Sequence, residues 1–307
     1  MLDIIIVNWN SGPQLKTCVD SITQFGGDLV DKLIVVDNGS VDGSETLVEA
    51  IPNVTLIRAG ENLGFGKACN FGAKYAASKY LLFLNPDTAL FEGTLAKVLK
   101  YMQEPANEAV GICGVQLIEE NGQVSRSCAR FPCVSGFLAH AVGLDRSFPR
   151  LGHFMAEWDH LANRQVDHVI GAFFLVRRGL FEQLQGFDER FFVYFEDVDF
   201  SCRAKQSGWK SYYLADTQAF HAGGGTSNQV KAQRLFYSLR SRLLYAFKHF
   251  SFPGALTVLF TTLLIEPLAR SVLALTRRSL PGLKGTWAGY VMLWAWLPKW
   301  LFRSDTR

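Results

Sequence analysis

Short runs of apolar residues alternate along most of the chain with longer stretches of mixed polarity. Asp3 to Asn8, Lys32 to Asp37, Val54 to Arg58 and Tyr80 to Leu84 are short, rich in branched side chains and bounded by polar or glycine-containing turns. That pattern predicts strands buried on both faces. Pro13 suits the first turn of a helix running to about Phe25, a second helix starts at Glu45, and a third runs from Gly64-Phe-Gly66 through Ala77. A helix from about Glu92 to Gln103 is followed by Gly111–Ile118 as a strand and by a less regular aromatic and basic stretch over 121–165. Val166–Val176 reads as one strand interrupted at Gly171, where the missing side chain permits close approach of a ligand. Lys210–Leu214 reads as a further strand. Alternation in units of this length predicts an α/β domain with a mostly parallel sheet flanked by helices.

In such sheets ligands bind beyond the carboxyl ends of the strands. Three of those ends carry amides or acids: Asn8 and Asn10, Asp37 and Asn38, and Asn85 and Asp87. Each alone is ordinary turn or cap chemistry. Together, at one sheet edge, they predict a binding site. A dinucleotide fingerprint is absent, because its third glycine would fall at Cys69, and no phosphate loop of the G-x-x-x-x-G-K-[ST] form occurs.

Glu196, Asp197 and Asp199 sit within an aromatic run, Phe191-Phe-Val-Tyr-Phe-Glu-Asp-Val-Asp-Phe200. Carboxylates there are costly to ionise unless something holds them. The run reads equally as a helix start, with Asp199 and Arg203 spaced i,i+4 and Gly208 ending the helix, or as the home of an active-site base. His221 alone reads as a structural histidine, and Gly223-Gly-Gly225 beside it as a lid or a plain loop.

Composition changes the picture at the C-terminus. Hydrophobic content is 49% and mean hydropathy +0.10 over 307 residues. The net charge of +3 divides unevenly: residues 231–307 hold twelve basic side chains against Glu266 and Asp305, or +10, which leaves −7 for residues 1–230. Phe252–Ile265 is apolar throughout, shorter than the ~20 residues that cross a bilayer. Trp287–Trp300 holds four tryptophans near basic residues. Both stretches predict helices lying in the membrane interface and drawn to anionic lipid, with a helical cap on the catalytic domain or a dimer partner as the alternative. Six cysteines without a CxxC pair suit a reducing cytosol, and Met1–Asn8 reads directly as a strand rather than a leader. No nucleic-acid partner is expected, and a homo-oligomer is left open.

Taken in order, Val7-Asn-Trp-Asn10, Val36-Asp-Asn-Gly-Ser-Val-Asp-Gly-Ser44, Glu61-Asn-Leu-Gly-Phe-Gly66 with Asn70, Asn85-Pro-Asp-Thr88, and Gly186-Phe-Asp-Glu-Arg-Phe191 with Glu196-Asp-Val-Asp199 resemble the glycosyltransferase family 2 enzymes. The likeness covers about residues 1–225 and is closest to the bacterial rhamnosyltransferase-like branch. The resemblance implies a GT-A fold, a Rossmann-like nucleotide-diphospho-sugar transferase domain over 1–230, with 231–307 as the membrane-associating tail. It implies that Asn8, Trp9, Asn10 and Asp37, with Asn38 beside it, hold the base and ribose of a nucleotide-sugar, and that Asn62, Gly64, Phe65 and Asn70 form the next donor-binding segment. Asp87 matches the metal-binding aspartate of the D-x-D motif, whose first acid is here Asn85, and His221 matches a histidine that completes the metal site. Asp197 matches the catalytic base and Glu196 an acceptor-orienting position.

The expected reaction is metal-dependent transfer with inversion, using Mg²⁺ or Mn²⁺. The sugar, rhamnose among the candidates, would pass from a dTDP- or UDP-sugar to a glycan or lipid-linked glycan in cell-surface polysaccharide synthesis. The expected place is the cytoplasmic face of the inner membrane, peripherally bound. The alternatives are a sugar-phosphate nucleotidyltransferase, for which Asn8-Trp-Asn-Ser-Gly12 supplies no basic residue, and a non-catalytic, membrane-tethered nucleotide-sugar-binding protein.

Overall fold

The computed structural model describes residues 1–223 and 231–302; Gly224 and Gly225 of the expected lid lie outside them. The strands are β1 (Leu2–Asn8), β2 (Val30–Asp37), β3 (Val54–Arg58), β4 (Tyr80–Leu84), β5 (Thr88–Leu90), β6 (Val110–Ile118), β7 (Cys128–Ala129), β8 (Arg164–Val166), β9 (His168–Val169), β10 (Phe173–Arg177) and β11 (Lys210–His221). The helices are α1 (Pro13–Gly26), α2 (Thr46–Glu49), α3 (Phe65–Ala73), α4 (Thr94–Gln103), α5 (Val134–Ala141), α6 (Leu144–Ser147), α7 (Arg178–Gln183), α8 (Glu196–Gln206), α9 (Lys231–His249), α10 (Phe252–Phe260), α11 (Glu266–Thr276) and α12 (Leu280–Phe302).

The chain forms two compact units. The first comprises Met1–Arg130, Trp158–Glu189 and the segment from Glu196 that carries α8 and β11. Its main sheet runs β3-β2-β1-β4-β10-β6-β11-β5, with β8 on the free side of β11. β1 pairs in parallel with β2 and β4, and β2 with β3. β10 enters antiparallel between β4 and β6, and β11 returns parallel to β6. The sheet is therefore mixed but mostly parallel, as the alternation predicted. β1 is buried along its whole length. Ile4 and Ile6 pack in one core with Leu15, Val19 and Ile22 of α1 and Leu95, Val98 and Leu99 of α4. Ile5 lies against Gly72 of α3, where a Cβ would come within 2.7 Å of its side chain.

An aromatic cluster explains part of the acidic run. Phe83, Phe174, Phe181, Phe187 and Phe200 stack edge-on or tilted, with centroids 5.0–5.9 Å apart. Phe200 thus anchors α8 by burial, worth about 1.5–3 kcal/mol for a side chain of this size. Glu196, Asp197 and Asp199 occupy the first turn, and Asp199 pairs with Arg203 at 2.8 Å. The helix-start reading is borne out. The chain enters α8 through two left-handed residues, Tyr194 (φ 67°) and Phe195 (φ 69°), a backbone state that costs of order 1–3 kcal/mol each and gathers at functional sites.

Three local expectations change. The single strand over Val166–Val176 is three pieces: β8 on β11, β9 on β7 in a second small sheet, and β10 in the main sheet. The break falls at Gly171, where the Asp197 carboxylate approaches, with Oδ2 3.3 Å from where a Cβ would be. The helix from Glu45 is a single turn, α2. The last strand runs on past Leu214 to His221, with an irregularity between Leu214 and Gln218 in its pairing to β6.

The second unit gathers Phe131–Glu157, Arg190–Phe195 and helices α9 to α12. The apolar run expected to stop before Glu266 continues. α10, a π turn over Thr261–Ile265 and α11 make one helix, Phe252–Thr276, of 25 residues, long and apolar enough to cross a membrane by length and composition. Glu266 does not interrupt it because the carboxylate turns inward, where it is 1% exposed, to Arg242 and Arg270.

Candidate active site

The predicted donor residues meet at the carboxyl ends of β1 and β2. Parallel register sets Asn8 beside Asp37. Asn8 Nδ2 donates to Asp37 Oδ1 at 3.0 Å, Ser40 Oγ at 3.1 Å and Ser44 Oγ at 2.8 Å. The Asn10 amide donates to Ser40 Oγ at 3.0 Å, and Asn10 Oδ1 accepts from the Val41 amide at 2.8 Å. Asn10 sits at φ 51°, which asparagine tolerates better than most residues. Trp9 is half-buried between them. Asp42 accepts from the Gly12 amide at 2.9 Å. The loops after β1 and β2 are therefore laced together by side chains, not by the sheet alone. Sequence reading does not single out Ser40, Asp42 or Ser44, although the Val36–Ser44 motif contains all three.

A second web joins β2 to α3. Asn38 Nδ2 donates to Asn62 Oδ1 at 3.0 Å, Asn38 Oδ1 accepts from the Leu63 amide at 2.8 Å, and the Gly64 amide donates to Asn62 Oδ1 at 3.0 Å. Gly64 stands at φ 85° and Phe65 begins α3. Asn70, placed with the donor segment by its motif, uses its amide elsewhere. It donates to the Phe187 carbonyl at 2.8 Å and Glu189 Oε1 at 3.1 Å, and accepts from the Phe187 amide at 2.8 Å. Gly186 precedes that contact at φ 73°, and a Cβ there would meet Asn70 Oδ1 at 2.4 Å. Both its backbone angle and the close approach demand glycine.

Asp87 and His221 come together through a ladder. β5 pairs antiparallel with β11, which sets His221 opposite Thr88, and the Ala222 amide donates to the Asp87 carbonyl at 3.0 Å. Asp87 Oδ1 lies 3.3 Å from His221 Nε2. Among the described residues no three His, Cys, Asp or Glu side chains gather into one group. Asn85 closes a turn by accepting from the Thr88 amide at 3.1 Å. Thr88 opens β5 rather than capping a helix, since α4 is preceded by Gly93.

Asp197 projects from the first turn of α8. Its Oδ2 accepts from the Gly171 amide at 2.8 Å and its Oδ1 from the Val198 amide at 2.8 Å. Glu196 is buried, packs against the α-carbon of Gly66, and has Oε2 without a hydrogen-bond partner among the described residues. Burial first, then the charge of Asp197, pushes the Glu196 carboxyl well above the ordinary value, which favours the neutral acid.

One dipeptide ties these groups together. Gly171 binds Asp197, and the next carbonyl, of Ala172, accepts from the Asn85 amide at 3.0 Å and from Thr88 Oγ1 at 3.3 Å. A Cβ on Gly171 would also lie 3.7 Å from Phe65. The acidic helix, the Asn85–Asp87 turn and the start of α3 are thus neighbours. Sequence reading missed His168, which faces Asp197 Oδ2 with Nε2 at 3.6 Å. Its only signal was an imidazole placed in an apolar strand run.

The mixed sheet flanked by helices has a GT-A-like fold. The fold is matched by a mannosyltransferase, PcManGT from Pyrobaculum calidifontis, solved in complex with GDP-Man and Mn²⁺, at a TM-score of 0.56 and 20% identity, over 100% of this chain and 88% of that one. The glycosyl transferase family 2 model matches residues 3–185, more than half of the chain, and the chain belongs to that family. It is a glycosyltransferase with rhamnosyltransferase relatives. The N-acetylglucosaminyl-diphospho-decaprenol L-rhamnosyltransferase of Mycobacterium tuberculosis is 27% identical over 260 residues, 80% of this chain and 83% of the relative. Rhamnosyltransferase WbbL of Escherichia coli is 25% identical over 254 residues, 80% of this chain and 92% of the relative.

Proposed function

We propose that the protein is an inverting, metal-dependent transferase that moves rhamnose from dTDP-rhamnose to a lipid-linked glycan acceptor in cell-surface polysaccharide synthesis. The observation that carries this reading is the Gly171–Ala172 link, which joins the Asp197 carboxylate to the Asn85–Asp87 turn. A base and a diphosphate-binding turn must lie about one sugar ring apart for in-line attack at the anomeric carbon. Names of the relatives above support the donor sugar and the lipid-linked acceptor.

In this reading Asn8, Trp9, Asn10, Asp37 and Asn38 hold the nucleoside, and Asn62, Gly64 and Phe65 shape the next part of the donor site. Asn70 acts there by fixing the Phe187 backbone. The Asp87 carboxylate and His221 imidazole, 3.3 Å apart, are hard and borderline ligands that would hold Mg²⁺ or Mn²⁺. Such a cation would neutralise charge that builds on the leaving diphosphate. Asp197 takes the proton of the acceptor hydroxyl as its oxygen bonds to the anomeric carbon and the bond to the diphosphate oxygen breaks, inverting that centre. Glu196, held as the neutral acid, offers a hydrogen bond that orients the acceptor.

The direct test is thermal stabilisation by nucleotide-sugars with Mn²⁺. At about a hundred times its Kd, dTDP-rhamnose adds ~2.7 kcal/mol, UDP-sugars add less, and Asp87→Ala abolishes the gain. Stabilisation by no diphosphate-sugar overturns the donor reading. Stabilisation without turnover supports the non-catalytic binding alternative instead.

The same reading assigns residues 1–230 to catalysis and 231–307 to contact with the cytoplasmic face of the inner membrane. On the helix Phe252–Thr276 the exposed side chains Phe260, Leu264, Leu268, Val272 and Leu275 recur at helical spacing. Arg277 and Arg278 are exposed at the following turn and Lys284 near the start of α12, where anionic headgroups would meet them. Each leucine is worth about 1.5–3 kcal/mol of burial. Leu264→Asp with Leu268→Asp therefore lowers partitioning into anionic liposomes by roughly 10²–10⁴-fold, measured by flotation of the full chain. Unchanged flotation of that variant removes this face from the membrane contact.

A further inference from the structure

His168 is a buried titratable side chain to which the transfer reading gives no task. It lies in β9, opposite Ala129 of β7, and is 2% exposed. Its ring spans one turn of α8. Nδ1 is 3.3 Å from Ser201 Oγ, and Nε2 is 3.6 Å from Asp197 Oδ2. Asp197 and Ser201 are one helical turn apart, so the imidazole touches a polar atom at each end of that turn. Asp197 Oδ2 also accepts the Gly171 amide. That oxygen is therefore approached from the backbone of the Gly171 turn and from the ring of β9.

An imidazole is a costly core residue, because both nitrogens need partners once water is gone. A phenyl ring would fill similar space with no polar atom to satisfy. Here both nitrogens face α8, and the segment of α8 that they brace is the one that carries Asp197. We propose that His168 is a positioning residue for Asp197, holding its carboxylate against the Gly171 amide so that a lone pair stays turned toward the acceptor. The proposal rests on Asp197 being the base.

The charge state of the ring agrees with this role. Burial lowers the His168 pKa, and the opposing pull of Asp197 and Asp167 does not restore it, so the value stays below the ordinary 6.5. Asp167 is itself paired with Lys205 of α8 at 2.7 Å. The ring is thus neutral at neutral pH and carries one N–H. With that proton on Nε2, the N–H dipole points at the Asp197 carboxylate and Ser201 O–H donates to Nδ1. The other tautomer would set a lone pair against a carboxylate oxygen. At 3.6 Å the Nε2 contact is longer than a formed hydrogen bond, so it orients and stabilises the charge without tying up the base.

The test compares His168→Phe, His168→Gln and Asp197→Asn in transfer assays across pH, with Mn²⁺ and a diphosphate-sugar donor. His168→Phe is expected to lower kcat about three- to tenfold, leave KM for the donor within about twofold, and move the acid limb of kcat to higher pH. His168→Gln, which keeps an N–H donor, restores most of both. An unmoved acid limb in His168→Phe overturns the proposal whatever happens to kcat, because a merely structural residue would change stability and not that limb. If His168→Phe does not fold, Ser201→Ala removes the far anchor of the ring without emptying the site, and a smaller shift of the same sign is expected; its absence is equally decisive. Failure of the underlying reading looks different: Asp197→Asn itself keeps transfer activity.

Discussion

Replacing Asp197 with asparagine should lower kcat about 10²–10⁴-fold, the usual worth of a positioned general base, while leaving the fold and donor binding in place. Asparagine has the shape of aspartate but keeps one oxygen, so of the Gly171 and Val198 amides, which Oδ2 and Oδ1 accept separately at 2.8 Å, one loses its partner at a cost of about 1–3 kcal/mol. Loss of one negative charge in the first turn of α8 costs only about 0.3–1 kcal/mol, against an aromatic anchor at Phe200 that the substitution does not touch. The unfolding temperature should therefore fall modestly, by the worth of one lost hydrogen bond and one charge, and stabilisation by the nucleotide-sugar should persist. What disappears is the acceptor for the hydroxyl proton. Steady-state transfer measured beside the ligand-induced thermal shift separates these effects, and near-full transfer by the folded variant would falsify the base assignment.

Glu266→Ala should destabilise the C-terminal unit by about 3–5 kcal/mol, because it leaves a buried guanidinium without its counter-charge. The carboxylate is 1% exposed and bonded to Arg242, itself 6% exposed, and to Arg270 at 2.7 Å. Arg270 is about a third exposed, so the larger share of the loss belongs to Arg242. Burial works to raise the Glu266 carboxyl, and the two guanidiniums more than offset it, so its pKa lies below the ordinary 4.5. A lowered folded value means that this stability is present above the unfolded pKa and is lost as pH falls through the folded one. The gap in unfolding temperature between wild type and variant should therefore be full at pH 7 and close progressively below about pH 4.5. Glu266→Leu combined with Arg242→Met should recover most of the loss at neutral pH, since a buried pair can often be replaced by apolar groups. A gap that stays constant with pH would show that the helix does not depend on the ionised cluster.

Particular elements show what could be read before folding. The strands β1, β2, β3, β4 and β6, the start of α1 at Pro13 and the start of α8 among the acids all follow from local patterns. So does the Asp199–Arg203 pair, whose partners are four residues apart. The division of Val166–Val176 into three strands was not legible, because a short apolar run has the same composition whether it pairs with one neighbour or three. Nor was the continuity of the helix Phe252–Thr276. Glu266 and Arg270 read as an interruption along the chain, and the Glu266 charge is met by Arg242, 24 residues away.

The candidate site divides in the same way. Local patterns singled out Asn8, Asp37, Asp87, Glu196 and Asp197, which lie at or just beyond a strand end or at a helix start, and the family resemblance added Asn62. Their partners were not legible. Asn70 turned to the Phe187 backbone, 117 residues on, His221 was brought to Asp87 by the β5–β11 ladder, and His168 was brought beneath Asp197 from a two-residue strand. Hydrophobic periodicity and turn chemistry are encoded within a few residues, so the sequence by itself determined most of the elements, the family and the sheet edge where the candidate residues gather. Which polar atoms meet depends on strand register and on the packing of residues far apart in the chain. Only the tertiary structure decided those contacts, because a hydrogen bond needs placement to within a few tenths of an ångström and no local pattern carries that.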